Sequence, residues 1–138
     1  MTDATAALAA IERTVHFDGP RARVWQAITD ANELARWFPQ RARWDLRPGG
    51  TGTFFWEGQG DFPIEVVSVE EPHYLAWRWG MESDETTLVE WWLDERLDGG
   101  TTLRLRESGF KTERHRDGNS QGWDEELGEL TKLLSQTS

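Results

Sequence analysis

Residues 87–110 read TLVEWWLDERLDGGTTLRLRESGF, and this stretch gives the clearest indication of the fold class. Apolar and polar side chains alternate on both sides of Asp98-Gly99-Gly100, which is typical of two antiparallel strands joined by a tight turn. Placing Leu93 opposite Leu105 predicts that these three turn residues form the loop of a hairpin. The alternation gives the hairpin an inner face that carries Val89, Trp91, Leu93, Leu103, Leu105 and Glu107.

The outer face of the predicted hairpin carries polar pairs. In this register Asp94 lies opposite Arg104 as an ion pair, and Trp92 lies opposite Arg106 in a cation–π contact. Both pairs suit a solvated face. A shift of one residue would place Leu93 opposite Arg104 and would mix the two faces, so the alternation strongly specifies which side chains point inward.

Outward from the hairpin, the period of two extends over residues 42–110 and is interrupted by turns rich in glycine and proline, which predicts about six strands in a meander. Upstream, Ile11 to Phe17 alternates as a first strand, and two short helices follow, the second capped by Asp30. Downstream, a long helix is predicted to start at Asn119 or Ser120, with Asp124, Glu125 and Glu126 in its first turn. Its apolar stripe consists of Trp123, Leu127, Leu130 and Leu134.

Charge and hydropathy exclude several function classes. The 138 residues include 15 Lys and Arg against 25 Asp and Glu, a net charge of −10. Such a chain is poorly suited to contact nucleic-acid phosphates or anionic lipid headgroups. No apolar run approaches the roughly 18 residues of a membrane span, and the mild apolar stretch at residues 4–10 lacks the positive flank of a signal peptide. We therefore expect a cytoplasmic protein that binds neither nucleic acid nor membrane.

The domain organisation is predicted to be simple. No repeat or linker divides the chain, so residues 1–10 are interpreted as a disordered or frayed N-terminus and residues 11–136 as a single domain. The chain has no cysteine and three widely separated histidines, and it contains no zinc-protease, phosphate-loop or dinucleotide motif. We therefore expect no metal site and no cofactor.

Short motifs in a fixed order run from about Ile11 to Leu134. They are Arg13, Gly19-Pro20, Val24-Trp25, Thr29-Asp30, Leu34, Trp37-Phe38, Asp45, Pro48-Gly49-Gly50, Pro72, Leu75, Trp79, Val89-Glu90-Trp91, Leu93, Gly100-Thr101, Glu107-Ser108-Gly109-Phe110, Gly122-Trp123, Leu127 and Leu130. In order and spacing they resemble the START-related SRPBCC superfamily, and more narrowly the bacterial single-domain relatives of the C-terminal domain of the activator of the ninety-kilodalton heat-shock protein's ATPase. The resemblance implies a helix-grip fold of class α+β. In that fold a curved antiparallel sheet of about seven strands wraps around the long C-terminal helix, with a hydrophobic ligand cavity between them.

The chain's nine tryptophans then become candidate ligand contacts. The alternation along the strands and the spacing along the helix place many aromatic side chains on one enclosed surface. Trp37-Phe38, at the end of the second short helix, is predicted to form a lid over it. The alternative is a solid aromatic core with no room for a ligand. The predicted ligand-binding residues are Arg13, Trp37, Phe38, Phe54, Trp56, Trp77, Trp79, Trp91, Glu107, Trp123 and Leu127.

Glu107 is the polar residue with the best-supported prediction of a role in the site. The hairpin register points it inward beside Trp91, where it would be a poised acid or a hydrogen-bond donor. In helix-grip folds the first strand pairs with the last, so Arg13 is expected to reach Glu107. A structural Arg13–Glu107 ion pair is the alternative to a catalytic role.

The sequence leaves three functions open. The first is binding of a small hydrophobic or aromatic molecule, lipid- or polyketide-like, in the internal cavity. The second is a cofactor-free cyclase or hydrolase-like activity with Glu107 as general acid or base. The third is a co-chaperone-like interaction through the outer face of the sheet, but the chain lacks the second domain of the eukaryotic co-chaperone, so we expect no chaperone contact. Trp92 on the outer face is a candidate contact for a homodimer.

Overall fold

The computed structural model describes residues 8–135. Most of the expected frayed segment, and residue 136 of the expected domain, therefore lie outside the described residues. The elements are β1 (Ile11–Phe17), α1 (Arg21–Thr29), α2 (Ala31–Leu34), β2 (Arg41–Trp44), β3 (Thr51–Trp56), β4 (Gly60–Glu70), β5 (Tyr74–Trp79), β6 (Thr87–Glu95), β7 (Thr101–Ser108) and α3 (Glu113–Ser135). None of the helices in this described range is long and apolar enough to cross a membrane.

The seven strands form one antiparallel sheet in the order β1-β7-β6-β5-β4-β3-β2. Strands β2 to β7 follow one another as a meander, and β1 returns to pair with β7, where Ile11 lies opposite Glu107. Two short helices follow β1, and the long helix α3 ends the domain. This order confirms the predicted α+β architecture of a seven-stranded sheet with a C-terminal helix.

The β6–β7 hairpin differs from the predicted register by two residues. Leu93 pairs with Leu103 and not with Leu105, so the predicted register is wrong. The reason lies in the turn. Gly99 takes the left-handed conformation with φ of 89°, whereas Gly100 approaches β1 so closely that an added Cβ would lie 2.4 Å from a β1 carbonyl oxygen. Gly100 therefore serves the packing of β1 against the turn and is not a free loop residue.

The outer face of the hairpin keeps its predicted chemistry, but the residues directly opposite one another change. Arg104 lies opposite Trp92, with its guanidinium 5.0 Å from the centroid of the indole ring, and it still forms the predicted ion pair with Asp94, at 3.9 Å. Arg106 lies opposite Glu90 and not opposite Trp92. Because side chains alternate with a period of two, a shift of two residues leaves both faces intact. The predicted inner-face residues Val89, Trp91, Leu93, Leu103, Leu105 and Glu107 are all buried.

Helix α3 begins at Glu113, well before the predicted caps Asn119 and Ser120. The backbone N–H of His115 donates to Thr112 Oγ1 at 3.1 Å, so the cap lies at the true start. A glycine and an asparagine early in α3 have low helix propensity, which explains why the sequence pattern placed the start too late. As a consequence, Asn119 lies within the helix and does not cap it, so its side chain is free to take part in other contacts.

The apolar stripe of α3 packs on the sheet nearly as predicted. Trp123, Leu127 and Leu130 are buried, and the fourth buried position is Leu133. Leu134, the predicted fourth member, is only partly buried against the core. The core therefore lies between the inner face of the sheet, the stripe of α3 and the two short helices.

Candidate functional site

A continuous cluster of aromatic rings occupies the space between the sheet and α3. Phe38 lies near its centre, with ring centroids 5.2 Å from Trp123 and 5.6 Å from Phe54. Trp77 and Trp91 are fully buried, and their ring centroids are 5.8 Å apart. These separations are favourable for aromatic packing. The structure thus brings the predicted aromatic surface together, and the protein's own rings fill it.

The segment predicted to be a lid is tied to its surroundings by hydrogen bonds. Trp37 Nε1 donates to the carbonyl of Ala27 at 2.9 Å, and Trp56 Nε1 donates to the carbonyl of Phe38 at 3.1 Å. The short helix before it is capped as predicted, because the Asp30 side chain accepts from the backbone N–H of Asn32 at 2.8 Å. Trp37 and Phe38 are only 4% and 7% exposed. They therefore form a fixed wall of the core.

An open cleft of about 360 Å³ lies at one end of the sheet, between α3 and the turns at residues 57–59 and 80–86. The rings that line it are Phe38, Trp56, Phe62, Trp79 and Trp123. The carboxylate side chains that line it are Glu82, Glu85, Glu125 and Glu126. On the α3 side the wall includes Gly118 and Gly122, where an added Cβ would meet no atom within 4 Å. The cleft therefore combines a wall of aromatic rings with a polar rim, and convergent apolar and polar groups are a feature of small-molecule sites.

Glu107 is fully buried on β7 and is bonded to two of the cleft rings. Its Oε1 accepts from Trp123 Nε1 at 2.8 Å, and its Oε2 accepts from Trp79 Nε1 at 2.9 Å and from Thr87 Oγ1 at 2.5 Å. The Asn119 amide donates to both oxygens, at 3.2 and 3.1 Å. All four donors are neutral, and together they supply the hydrogen bonds that a buried carboxyl group requires. Glu107 itself does not line the cleft, so its geometry suits orienting the rings that do.

Arg13 points toward α3, but the predicted Arg13–Glu107 ion pair is wrong. Arg13 Nε donates to Asp124 Oδ1 at 2.7 Å, and its guanidinium also donates to Ser120 Oγ at 2.7 Å. The β1–β7 register explains this, because Ile11 and not Arg13 lies opposite Glu107. The Arg13 hydrogen bond holds the pKa of Asp124 below its usual value. Arg13 therefore links β1 to α3 at the surface.

Glu126 is a cleft residue that the sequence assigned only to a helix start. Its Oε2 is buried and has no hydrogen-bond partner among the described residues. Burial, reinforced by the charges of Glu125 and Glu129, raises the pKa of Glu126 to about 7. A carboxyl group that titrates near neutrality beside apolar rings is typical of a functional site.

The predicted site residues fall into three groups. Those that line the cleft are Phe38, Trp56, Trp79 and Trp123. Those in the packed interior away from the cleft are Trp37, Phe54, Trp77, Trp91 and Leu127, with Glu107 buried against the cleft rings. Arg13 lies apart from both groups, on the surface side of α3.

Sequence reasoning missed Phe62, Asn119 and Glu126 as cleft residues. A helical signal existed for two of them, because Asn119 and Glu126 lie four positions before and three positions after Trp123, on one helix face. The late predicted start of α3 hid that signal for Asn119. Phe62 pairs across the sheet with Phe54, and its ring centroid lies 5.2 Å from Trp56.

The chain matches the family model "Activator of Hsp90 ATPase homolog 1-like protein" over residues 18–135. Among solved structures, CalU16 from Micromonospora echinospora is 31% identical over 91% of this chain and 76% of CalU16, with a TM-score of 0.79. DynU16, a protein of the dynemicin biosynthetic locus, is 25% identical over 91% of this chain and 47% of DynU16, with a TM-score of 0.82.

More distant structures share the fold. The Aha1 dimer from Colwellia psychrerythraea is 17% identical over 92% of this chain and 96% of that one, with a TM-score of 0.78. The comparison with curated protein sequences found no match. The family model extends over the two short helices, strands β2 to β7 and α3, and the resemblance to CalU16 covers a similar range. The chain therefore belongs to the Activator of Hsp90 ATPase homolog 1-like family, with the helix-grip fold of the SRPBCC superfamily.

Proposed function

We propose that this protein binds a small, flat hydrophobic or aromatic molecule in the cleft between α3 and the turns at residues 57–59 and 80–86. The observation that carries the proposal is the row of aromatic rings along a cleft of about 360 Å³. A ligand ring stacked on such a wall gains roughly 0.5–1.5 kcal/mol per aromatic contact beyond the burial of its area. Several contacts of this size are sufficient for a specific small-molecule site.

The proposal moves the ligand from the interior to the cleft. The interior between sheet and helix is occupied by the protein's own rings, with Trp77, Trp91 and Phe54 fully buried. The cleft continues this cluster outward, because Phe38 and Trp123 belong to both. A ligand ring in the cleft therefore extends an existing stack of rings.

The helix wall of the cleft supports the same proposal. Glycine in a helix interior costs roughly 0.5–1 kcal/mol relative to alanine. Gly118 and Gly122 carry this cost although an added Cβ at either would meet no atom within 4 Å. Packing within this chain therefore does not require them, and their lack of side chains leaves room for a ligand against this face of α3.

The origin of one relative supports a small-molecule ligand. DynU16 comes from the dynemicin biosynthetic locus. The structural match covers 91% of this chain but only 47% of DynU16. Small-molecule binding is therefore proposed for the domain that the two chains share. The alternative of a cyclase or hydrolase-like reaction stays a prediction, and its candidate base Glu107 lies behind the cleft rings.

The test is quenching of tryptophan fluorescence by a panel of flavonoids, polyketides and fatty acids, since Trp56, Trp79 and Trp123 line the cleft. The variant Gly122→Leu places a side chain in the cleft, and Gly128→Leu is the matched control on an exposed position of the same helix. We expect saturable quenching in the wild type and in Gly128→Leu, and loss of it in Gly122→Leu. An inert panel, or equal quenching in both variants, contradicts the proposal.

A second candidate is contact with a chaperone. The family is named for activators of Hsp90 ATPase, so the expectation of no chaperone contact has no support from the comparisons. A co-chaperone role predicts that the protein stimulates ATP hydrolysis by an Hsp90-type chaperone and is retained by it in a pull-down. Stimulation that persists in Gly122→Leu would assign that role to a surface other than the cleft.

A further inference from the structure

We infer that the ligand of this cleft carries a positive charge, so that its class is a flat aromatic amine. The inference rests on the proposed function and narrows its ligand. The cleft is lined by the carboxylates Glu82, Glu85, Glu125 and Glu126, and no lysine or arginine is among its lining residues within the described chain. Two of these carboxylates lie on the turn at residues 80–86 and two on α3, so acidic groups face the cleft from both sides.

Several acidic residues of these two segments that lie outside the cleft form ion pairs. Asp84, within the same turn, pairs with Lys111 at 2.7 Å, and Glu129 on α3 pairs with Lys132 at 3.2 Å. Asp124 likewise pairs with a cation, the guanidinium of Arg13. None of these three acidic residues lines the cleft.

The four acidic residues that do line the cleft have no ion pair with any described residue. Arg13, Lys111 and Lys132 are thus bound by carboxylates outside the cleft. The unpaired carboxylates remain where a ligand would lie, and their combined field attracts a cation into the cleft.

Glu126 supplies an independent indication of the same ligand. Its Oε2 is shielded from solvent and lacks a hydrogen-bond partner among the described residues. A buried acceptor without a partner is unfavourable by about 1–3 kcal/mol, more when it is charged. Because Glu126 also lines the cleft, an ammonium group bound there supplies the opposite charge to this carboxyl group, which an alcohol does not.

The aromatic walls are also suited to a cation. Two indole rings that line the cleft, Trp56 and Trp79, are partly exposed, whereas Trp123 is only 3% exposed and stacks on Phe38 and Trp79. The face of an indole ring is the strongest cation–π partner among the side chains. The walls therefore favour the flat ring and the charge of the same ligand.

The experiment compares three probes of nearly the same shape by calorimetry at about pH 8 and low salt. The probes are 2-naphthylmethylamine, which is cationic, 2-naphthylmethanol, which is neutral, and 2-naphthoate, which is anionic. We expect the amine to bind most tightly and the carboxylate least tightly, with about fivefold between successive probes, the ratio that 1 kcal/mol of ion pairing provides. Added salt is expected to weaken binding of the amine far more than binding of the alcohol.

Matched variants separate the cleft carboxylates from general surface charge. The double variant Glu125→Gln/Glu126→Gln is expected to lose most of the amine's advantage over the alcohol. Glu129→Gln, which changes the charge of the same helix outside the cleft, is expected to keep it. An equal loss in Glu129→Gln would overturn the inference, because the preference would then come from the overall charge of the protein.

Failure of the inference differs from failure of the proposed function. If the alcohol or the naphthoate binds as tightly as the amine, and binding is lost in Gly122→Leu, the cleft is a ligand site but its ligand is not a cation. If none of the three probes binds and the quenching panel is also inert, the cleft is not a ligand site and both proposals are overturned.

Discussion

The indole nitrogen of Trp123 donates a 2.8 Å hydrogen bond to Oε1 of Glu107, and this bond joins α3 to an interior strand of the sheet. The second carboxylate oxygen accepts from the indole of Trp79, another cleft ring. One buried carboxyl group therefore fixes the orientation of two rings that line the cleft. The stability of the fold and the shape of the cleft depend on the same group.

Glu107→Gln is expected to destabilise the protein. Glutamine replaces one acceptor oxygen with an NH₂ group, and that group would face the N–H and O–H donors that now bond to Glu107. Leaving such buried groups unsatisfied costs about 1–3 kcal/mol. Urea denaturation measures the free energy of unfolding, and ligand titration of the folded variant tests whether the cleft rings are displaced.

The control for this variant is Glu65→Gln, which removes one carboxylate of a surface ion pair with Arg78. Exposed ion pairs contribute about 0–1 kcal/mol. Similar losses in the two variants, or an unchanged Glu107→Gln protein, would show that the buried hydrogen bonds do not support the fold.

Trp123→Phe is expected to cost more stability than Trp91→Phe. Both indoles are buried, but Trp123 Nε1 bonds to Glu107, whereas Trp91 Nε1 has no hydrogen-bond partner among the described residues. The two substitutions remove the same atoms, so the difference isolates the hydrogen bond and is expected to be about 1–3 kcal/mol. Parallel urea denaturation of the two variants measures it, and equal midpoints would refute the assigned role of the Trp123 bond.

Glu126 makes stability depend on pH in the range where its folded and unfolded forms differ in protonation. Its pKa is raised from 4.5 to about 7 in the folded protein. Between pH 4.5 and about 7, Glu126 holds a proton in the folded state that it has released in the unfolded state. Its contribution to the free energy of unfolding is therefore complete below about pH 4.5 and is lost as the pH rises through about 7. The charged and titratable groups of the same cleft are Glu82, Glu85, Glu125 and His115, with Glu129 on the next turn of the helix.

The measurement is the melting temperature of the wild type and of Glu126→Gln across this pH range. Glutamine does not titrate, so the melting temperature of the variant is expected to rise relative to that of the wild type as the pH increases. At about pH 8 the variant is expected to be the more stable protein. A constant difference between the two proteins from acid to alkaline pH would show that Glu126 titrates normally.

Arg13 is expected to couple energetically with Asp124 and not with Glu107. A double-mutant cycle with Arg13→Met and Asp124→Asn is expected to give a coupling of about 0.2–1 kcal/mol, because the Asp124 side chain is largely exposed. The matched cycle with Arg13→Met and Glu107→Gln is expected to be additive. A larger coupling in the second cycle would place Arg13 in the buried network instead.

Much of the architecture was predictable because it follows from local periodicity. The alternation around Trp91 and Leu105 indicates which side chains face inward, and the Asp30 cap marks the start of a helix. Register was harder to predict, since a shift of two residues leaves the same side chains buried. It was decided by the close approach of Gly100 to β1, a contact between segments far apart in the chain.

The site was predictable in its residue types but not in its arrangement. The alternation of side chains along the strand predicted that Glu107 points inward. Its four neutral hydrogen-bond donors come from β5, β6 and α3, and no local pattern relates those elements. Glu126 was a residue of a helix start in the sequence, and only the packing of α3 buries one of its oxygens.

Local patterns predict the order of strands and helices, the inner face of the sheet and the abundance of rings on it, because periods of 2 and 3.6 are properties of neighbouring residues. The tertiary structure alone decided that those rings fill the interior and leave a cleft at its end. It also decided which carboxylates have partners, because ion pairs and burial depend on distances between segments that the chain brings together only when it folds.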